Sequence, residues 1–320
     1  MTIPAGSAPR GKLQRALKNH AFRWFCTLCA AVSVVVLAIL LGSLLLQGWR
    51  HLDLEFIRNA PSRKPEKAGL GPAMWGSIWI CAACALTALP IGAATAIFLE
   101  EYKPASPFIR KLHGFLQLNI SNLAGVPSIV YGIIGLTAFV QMFGLVGNLN
   151  EPGFTVGTPD DWYYLQLPFG RGVLAGGLTL MLVILPIVIV SSQEALRAVP
   201  NSLREGALAC GATKWQMVWR MTLPAAVPGI MTGAILAMSR AIGEAAPILV
   251  IAGIVFIRFT PQHLMDEFTA MPLQIYDWAG RPQDEFHRVA ATGILVLLAV
   301  LLTFNASAVL IRQRFQKPLQ

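Results

Sequence analysis

Apolar residues in this chain come in long, nearly unbroken runs, without the short alternating patterns of half-buried strands. Six runs reach the ~20 residues an α-helix needs to cross a bilayer. They are Phe22–Trp49, with Arg23 its only charge, the uncharged runs Ala73–Leu99 and Gly114–Leu149, then Gly172–Val190, Ala225–Ile257 and Val289–Ile311. The pattern predicts an all-α fold, a polytopic membrane helix bundle with six transmembrane helices. The first run follows a basic tail, but it exceeds the apolar core of a signal peptide and no small-residue cleavage site follows it, which predicts a retained helix. Pro90, Pro127, Pro186 and Pro228 interrupt the spans, which membrane helices tolerate where neighbours re-satisfy the backbone. Gly172-x3-Gly176 and Gly229-x3-Gly233 offer faces for close helix packing.

Composition agrees: of 320 residues, 55% are hydrophobic and only 13% charged, more apolar surface than a soluble core of this size can bury. The net charge of +9 is dispersed between the apolar runs, which points to topology signals and anionic lipid headgroups and away from nucleic acid. Fifteen Lys and Arg fall in the N-terminal tail through Arg23, residues 100–113, residues 191–224 and the C-terminal tail, against seven in the alternate segments. The positive-inside rule then places both termini in the cytoplasm. The segment 49–72 runs against the trend, with Arg50, Arg58, Arg63, Lys64 and Lys67. Cys26-x2-Cys29 and Cys81-x2-Cys84 lie inside apolar runs with no His nearby and read as small hydrophobes. The run Gly6-x4-Gly11-Lys12-Leu13 approaches a phosphate-cradling loop, but Leu13 stands where a magnesium-binding Ser or Thr is needed, and no strand precedes it. Without a metal-ligand cluster or a nucleophile–base set, the chain is expected to be non-catalytic, to hold no cofactor of its own, and to draw power from a partner.

Residues 191–224 read as two short helices. Ser202-x2-Glu205 has the spacing of a capping box for a helix running through Ala207–Ala209 to a stop at Gly211. Thr213-x2-Gln216 repeats the device for a second helix through Val218 and Trp219 that ends before Pro224. With Trp215, Met217 and Trp219 available, the pair predicts a compact projecting knob; the alternative is an elbow lying on the headgroups. The run Glu205-Gly206-Ala207-x3-Gly211-x9-Met221-x-Leu223-Pro224 resembles the EAA loop of ABC importer permeases, with Gly206 in place of the usual Ala and Met221 in place of the usual Ile. The resemblance implies that a coupling loop at about 194–224 docks on a cytoplasmic ATPase through Glu205, Gly211, Leu223 and Pro224. ATP and magnesium would be bound by that partner.

Four further segments narrow the resemblance: Leu99-Glu100-Glu101-Tyr102, Val126-Pro127-Ser128-Ile129-Val130-Tyr131-Gly132, Ser239-Arg240-Ala241-Ile242-Gly243-Glu244-Ala245-Ala246-Pro247-Ile248 and Pro272-Leu273-Gln274-Ile275-Tyr276-Asp277-Trp278. They are similar to PstA-type permeases of phosphate-specific importers; the sister PstC type shares the Pro-Ser-x2-Tyr-Gly stretch. This implies a complex of two permeases (the second PstC-type), an ATPase dimer and a periplasmic phosphate-binding protein. The implied division is a basic cytoplasmic tail 1–21, a first transmembrane helix 22–49, an ABC type I transmembrane domain 73–308 and a cytoplasmic tail 309–320. The insertion Glu151–Gly170 is longer than this family commonly carries and has no assigned function. The segment 258–287 either touches the binding protein or seals the bundle.

Arg240 and Glu244 are the only charges inside the fifth span. An Arg at a helix centre costs roughly 2.5–3.5 kcal/mol on insertion scales, so it faces away from lipid. The i, i+4 spacing lets the two pair. One reading is a structural ion pair that eases insertion. In the other, the planar Arg240 fork lines a path for an oxyanion such as phosphate, and Glu244 holds it when no anion is present. The expected function is import of inorganic phosphate into the cytoplasm, with phosphonate, sulfate or molybdate as alternative cargo of the same machinery. A signalling subunit of such an importer and an ion-coupled carrier complete the alternatives; a carrier would show inverted repeats.

Overall fold

In the computed structural model, which describes residues 10–102, 106–148, 151–158, 161, 163–253 and 256–315, the apolar runs become helices numbered here in chain order. They are α1 (Arg10–Gly48), α2 (Leu54–Arg58), α3 (Gly71–Glu101), α4 (Pro107–Leu123), α5 (Ser128–Gly135), α6 (Val173–Arg197), α7 (Asn201–Ala209), α8 (Lys214–Met217), α9 (Leu223–Gly243), α10 (Ala246–Ala252), α11 (Met271–Ala279) and α12 (Asp284–Phe315). Among the described residues, five helical stretches are long and apolar enough to cross a membrane, and a sixth crossing is available if a bent pair counts as one span. Gly6 of the glycine–lysine run lies outside the described residues, as do 316–320 of the C-terminal tail.

The third run is not the single helix Gly114–Leu149 expected from hydropathy. α4 and the helix from Ser128 to Val140 meet at 109°. Pro127 lacks the N–H that would continue the ladder and drives Val126 out of helical backbone, and Gly125 precedes them. Tyr131 spans the bend by donating its hydroxyl to the Leu123 carbonyl at 2.7 Å. The fifth span also departs from expectation: α9 ends at Gly243, and a separate short helix, α10, follows. Pro247 has no N–H to offer the Gly243 carbonyl, and its ring would collide with it; Glu244 turns extended, with ψ 121°.

α6 is the centre of the bundle, with α3 and α9 packed along it. Ile80, Cys84, Leu180, Ile184, Val188, Ala237 and Ala241 meet there, fully buried. α9 approaches α6 closely through the predicted glycine face: a Cβ on Gly233 would stand 2.1 Å from Ser191 Oγ, and one on Gly229 2.7 Å from Ala195 Cβ. Of the other glycine pair, Gly172 abuts Met265 in the segment between α10 and α11, while Gly176 lies between Phe268 of that segment and α3, where Ile80 would stand 3.4 Å from its Cβ. α1 stands apart, exposed along its apolar length and fastened near its end where Thr292 of α12 donates to the Gly48 carbonyl at 2.9 Å. Such a surface belongs against lipid or another membrane helix.

At the end of the bundle opposite α7 and α8, α11 lies inward: Leu273, Gln274, Ile275 and Trp278 are buried, and Trp278 packs on Phe56 of α2. Within the segment 258–287, α11 closes this end of the bundle with its buried face and leaves Tyr276 exposed. The insertion forms two small antiparallel ribbons on the all-α frame, Gly147–Asn148 with Glu151–Pro152 and Phe154–Val156 with Leu165–Leu167. In the loop joining the two strands of the second ribbon, Asp161 accepts from the Thr158 N–H and hydroxyl at 2.8 and 2.9 Å, which holds its carboxyl below the usual range.

Candidate coupling loop and intramembrane ion pair

The loop between α6 and α9 is the two-helix knob that its sequence predicts, with two differences of detail. α7 begins at Asn201, behind Pro200, so Ser202 already has helical backbone and caps nothing. The helix ends as expected. Gly211 has φ +79°, its N–H donates to the Leu208 carbonyl at 3.0 Å, and Ala212 N–H donates to the Ala207 carbonyl at 3.1 Å. This is a Schellman stop, a left-handed backbone position that glycine adopts without steric cost. The Thr213 capping box forms in full: Thr213 N–H donates to Gln216 Oε1 at 2.9 Å and Gln216 N–H to Thr213 Oγ1 at 3.3 Å. The second helix does not stop before Pro224, however. A wide turn over Val218–Thr222, closed by Leu223 N–H on the Val218 carbonyl, carries α8 directly into α9. Widening the ladder to i−5 makes room for Pro224, which cannot bond its own i−4 carbonyl.

The knob is built to present surface. Glu205, Gly211 and Pro224 are exposed and Leu223 is half-buried. Met217 is buried as an anchor, while Trp215 and Trp219 pack with tilted rings at 5.3 Å between centroids and remain 61% and 49% exposed. A groove of about 450 Å³ lies between the two helices, with Gly206, Cys210, Gly211, Gln216, Arg220 and Met221 among its lining residues. Gly206, where the EAA pattern has alanine, faces open space.

Arg240 lies in the last turn of α9, and Glu244 immediately after it, so the pair sits at a helix break where a continuous helix was expected. Arg240 Nε donates to Glu244 Oε1 at 3.0 Å; the guanidinium side chain is 51% exposed and the carboxylate 14%. The cation benefits from the carbonyl-rich end of α9, and beyond its Nε bond to Glu244 the guanidinium makes no hydrogen bond among the described residues. The break joins two of the segments singled out by sequence: Gly132 of α5 lies against Pro247 and Val250, with its hypothetical Cβ 2.8 Å from Pro247 Cα. One turn back, Ser239 donates to Asn305 of α12, and two turns further Arg312 donates to Thr232 at 2.8 Å. These two rungs escaped sequence reasoning; the lone Asn305 within an apolar run was the available signal.

Membrane helices around a central α6, one broken beside an ion pair, and a two-helix knob at one end are the architecture of a transporter permease subunit. The same fold occurs in a bacterial alginate ABC transporter solved with an alginate-bound periplasmic protein (TM-score 0.63, 15% identity, 96% of this chain and 98% of that one). It recurs in the inward-facing MetNI methionine ABC transporter (TM-score 0.58, 15% identity, 77% and 95%). The chain belongs to the binding-protein-dependent transport system inner membrane component family, whose model matches residues 105–317. It is similar to the probable ABC transporter permease protein YqgI of Bacillus subtilis, 30% identical with 88% of this chain and 90% of the relative covered. It is also similar to the phosphate transport system permease protein PstA of Mycobacterium leprae, 30% identical over 92% and 90%. The chain is thus a multi-pass membrane permease subunit of the ABC type, a non-catalytic component.

Proposed function

We propose that this subunit forms half of the path by which an ATP-driven importer moves inorganic phosphate into the cytoplasm. The observation that carries the reading is the Arg240–Glu244 pair, a half-exposed guanidinium at a helix break inside the fifth span. Its Nη donors, unbonded among the described residues, offer the bidentate geometry a phosphate oxygen pair accepts, and Glu244 holds the fork between anions. Similarity to PstA proteins along nearly the whole chain supports phosphate as the cargo. In this reading the loop at 194–224 faces the cytoplasm with both termini, and Glu205, Gly211, Leu223 and Pro224 engage an ATPase that binds the ATP and magnesium. The transmembrane domain runs over 73–308, between the helix at 22–49 and the tail at 309–320. A PstC-type permease covers the open side of Arg240, and a periplasmic phosphate-binding protein delivers the cargo to the α11 end.

The test uses the assembled complex in membranes. Arg240→Gln is expected to abolish phosphate uptake while the ATPase still co-purifies, and Glu205→Lys to release the ATPase. Normal uptake by Arg240→Gln in an intact complex removes the pathway role. Absence of any ATPase on the wild type in mild detergent favours an ion-coupled carrier.

A further inference from the structure

The segment Leu99-Glu100-Glu101-Tyr102 ends α3 with two carboxylates, against the sense of the helix dipole, which favours cations at a C-terminus. Each of the four residues holds a different element. The Leu99 carbonyl meets His113 Nε2 of α4 at 2.8 Å. Glu100 pairs with Arg197, the last residue of α6, at 2.9 Å. Glu101 pairs with Arg204 of α7 at 2.8 Å, and the Tyr102 ring lies under Lys214 of α8 at 5.2 Å.

Arg204 is the centre of this cluster. Its Nε and one Nη2 hydrogen go to Glu101 Oε1 at 3.2 and 2.8 Å. The other Nη2 hydrogen goes to the Leu196 carbonyl at 2.7 Å, and Nη1 serves the Val199 carbonyl at 2.7 Å and Asn201 Oδ1 at 3.2 Å. All five guanidinium donors are therefore used, with the side chains only 16% and 6% exposed at Arg204 and Glu101. One residue thus caps the end of α6, closes the start of α7 and ties both to α3. A buried pair of this kind contributes little net stability over apolar packing, while leaving either partner alone is costly; its value lies in fixing geometry.

The geometry points to Arg204 and Glu101 as positioning residues for coupling: they lock the knob to α3, so that displacement of the knob moves α3 with it. This rests on the knob being the ATPase-docking loop. α3 is a single 31-residue helix packed along α6, and at its far end Ser77 accepts the Met271 N–H at the start of α11, 2.9 Å away. A rigid link at the knob therefore reaches the segment that seals the opposite end.

The experiment compares Glu101→Gln, Arg204→Gln and the double variant in the complete complex. Three readouts are taken: retained ATPase, basal ATP hydrolysis, and hydrolysis stimulated by the phosphate-loaded binding protein. The expected result is retained ATPase, unchanged basal hydrolysis, and a stimulation ratio reduced roughly 2- to 30-fold, the range for residues that modulate coupling. The double variant is expected to be no worse than the weaker single, because the two act through each other. A wild-type ratio in both singles, or losses that multiply in the double, would overturn the assignment. Should the Gln variants fail to assemble, Arg204→Lys, which keeps the charge but not the fork, is expected to assemble and still lose stimulation; full stimulation there overturns it equally. Retention of the ATPase by Glu205→Lys would instead defeat the docking reading, and this proposal with it.

Discussion

Gly211→Ala isolates the backbone of the knob from its packing. Gly211 sits at φ +79°, and nothing lies within 4 Å of a Cβ built there, so the added methyl meets no neighbour. The cost is conformational alone, about 1–2 kcal/mol for an L-residue held in left-handed backbone. The two hydrogen bonds of the Schellman stop, from Gly211 and Ala212 to Leu208 and Ala207, exist only in that conformation. If the ATPase recognises the knob in this form, the docking-competent population falls by a factor of about 5–30. The assay is the dissociation constant of the ATPase for permease complexes in proteoliposomes. Gly211→Ala is expected to weaken it by that factor, and Gly211→Asn by less, since Asn visits left-handed backbone more readily. Equal affinity for wild type, Ala and Asn would refute the argument that the left-handed stop shapes the docking surface.

Three other outcomes follow from the same geometry. Gly206→Ala is the same chemical change five residues earlier, where the backbone is helical and the space open, so α7 should gain up to about 1 kcal/mol, seen as greater resistance of the knob to limited proteolysis. Gly233→Ala forces a Cβ against Ser191 Oγ; overpacking of about 1–3 kcal/mol should lower the thermal stability of the detergent-solubilised complex, and Ser191→Gly should restore it. Thr213→Ala removes a formed N-cap at a cost of about 1 kcal/mol, whereas Ser202→Ala, which removes no cap, should leave the proteolysis rate of the knob unchanged.

That contrast between Ser202 and Thr213 shows where sequence reading stops. Both open the spacing of a capping box, but Pro200 starts α7 early and leaves Ser202 inside the first turn. The six apolar runs were legible because crossing a bilayer demands length and hydropathy, which are local properties. The breaks were not, because Pro90, Pro186 and Pro228 lie inside continuous helices while Pro127 and Pro247 end them. Hydropathy treats all five prolines alike. The Arg240–Glu244 pair was legible through its i, i+4 spacing. Arg204 with Glu101 was not, since 103 residues separate them; only the misplaced acidity at the end of α3 hinted at a distant cation.

The central claim is ATP-driven phosphate import through this subunit, and uptake of labelled phosphate by proteoliposomes containing the complete complex tests it most directly. With ATP available to the ATPase and binding protein on the opposite face, phosphate should accumulate only when this subunit is present, and excess sulfate, molybdate or phosphonate should not compete. Accumulation driven by an ion gradient without ATP, or transport of one of those anions in preference to phosphate, would contradict the account.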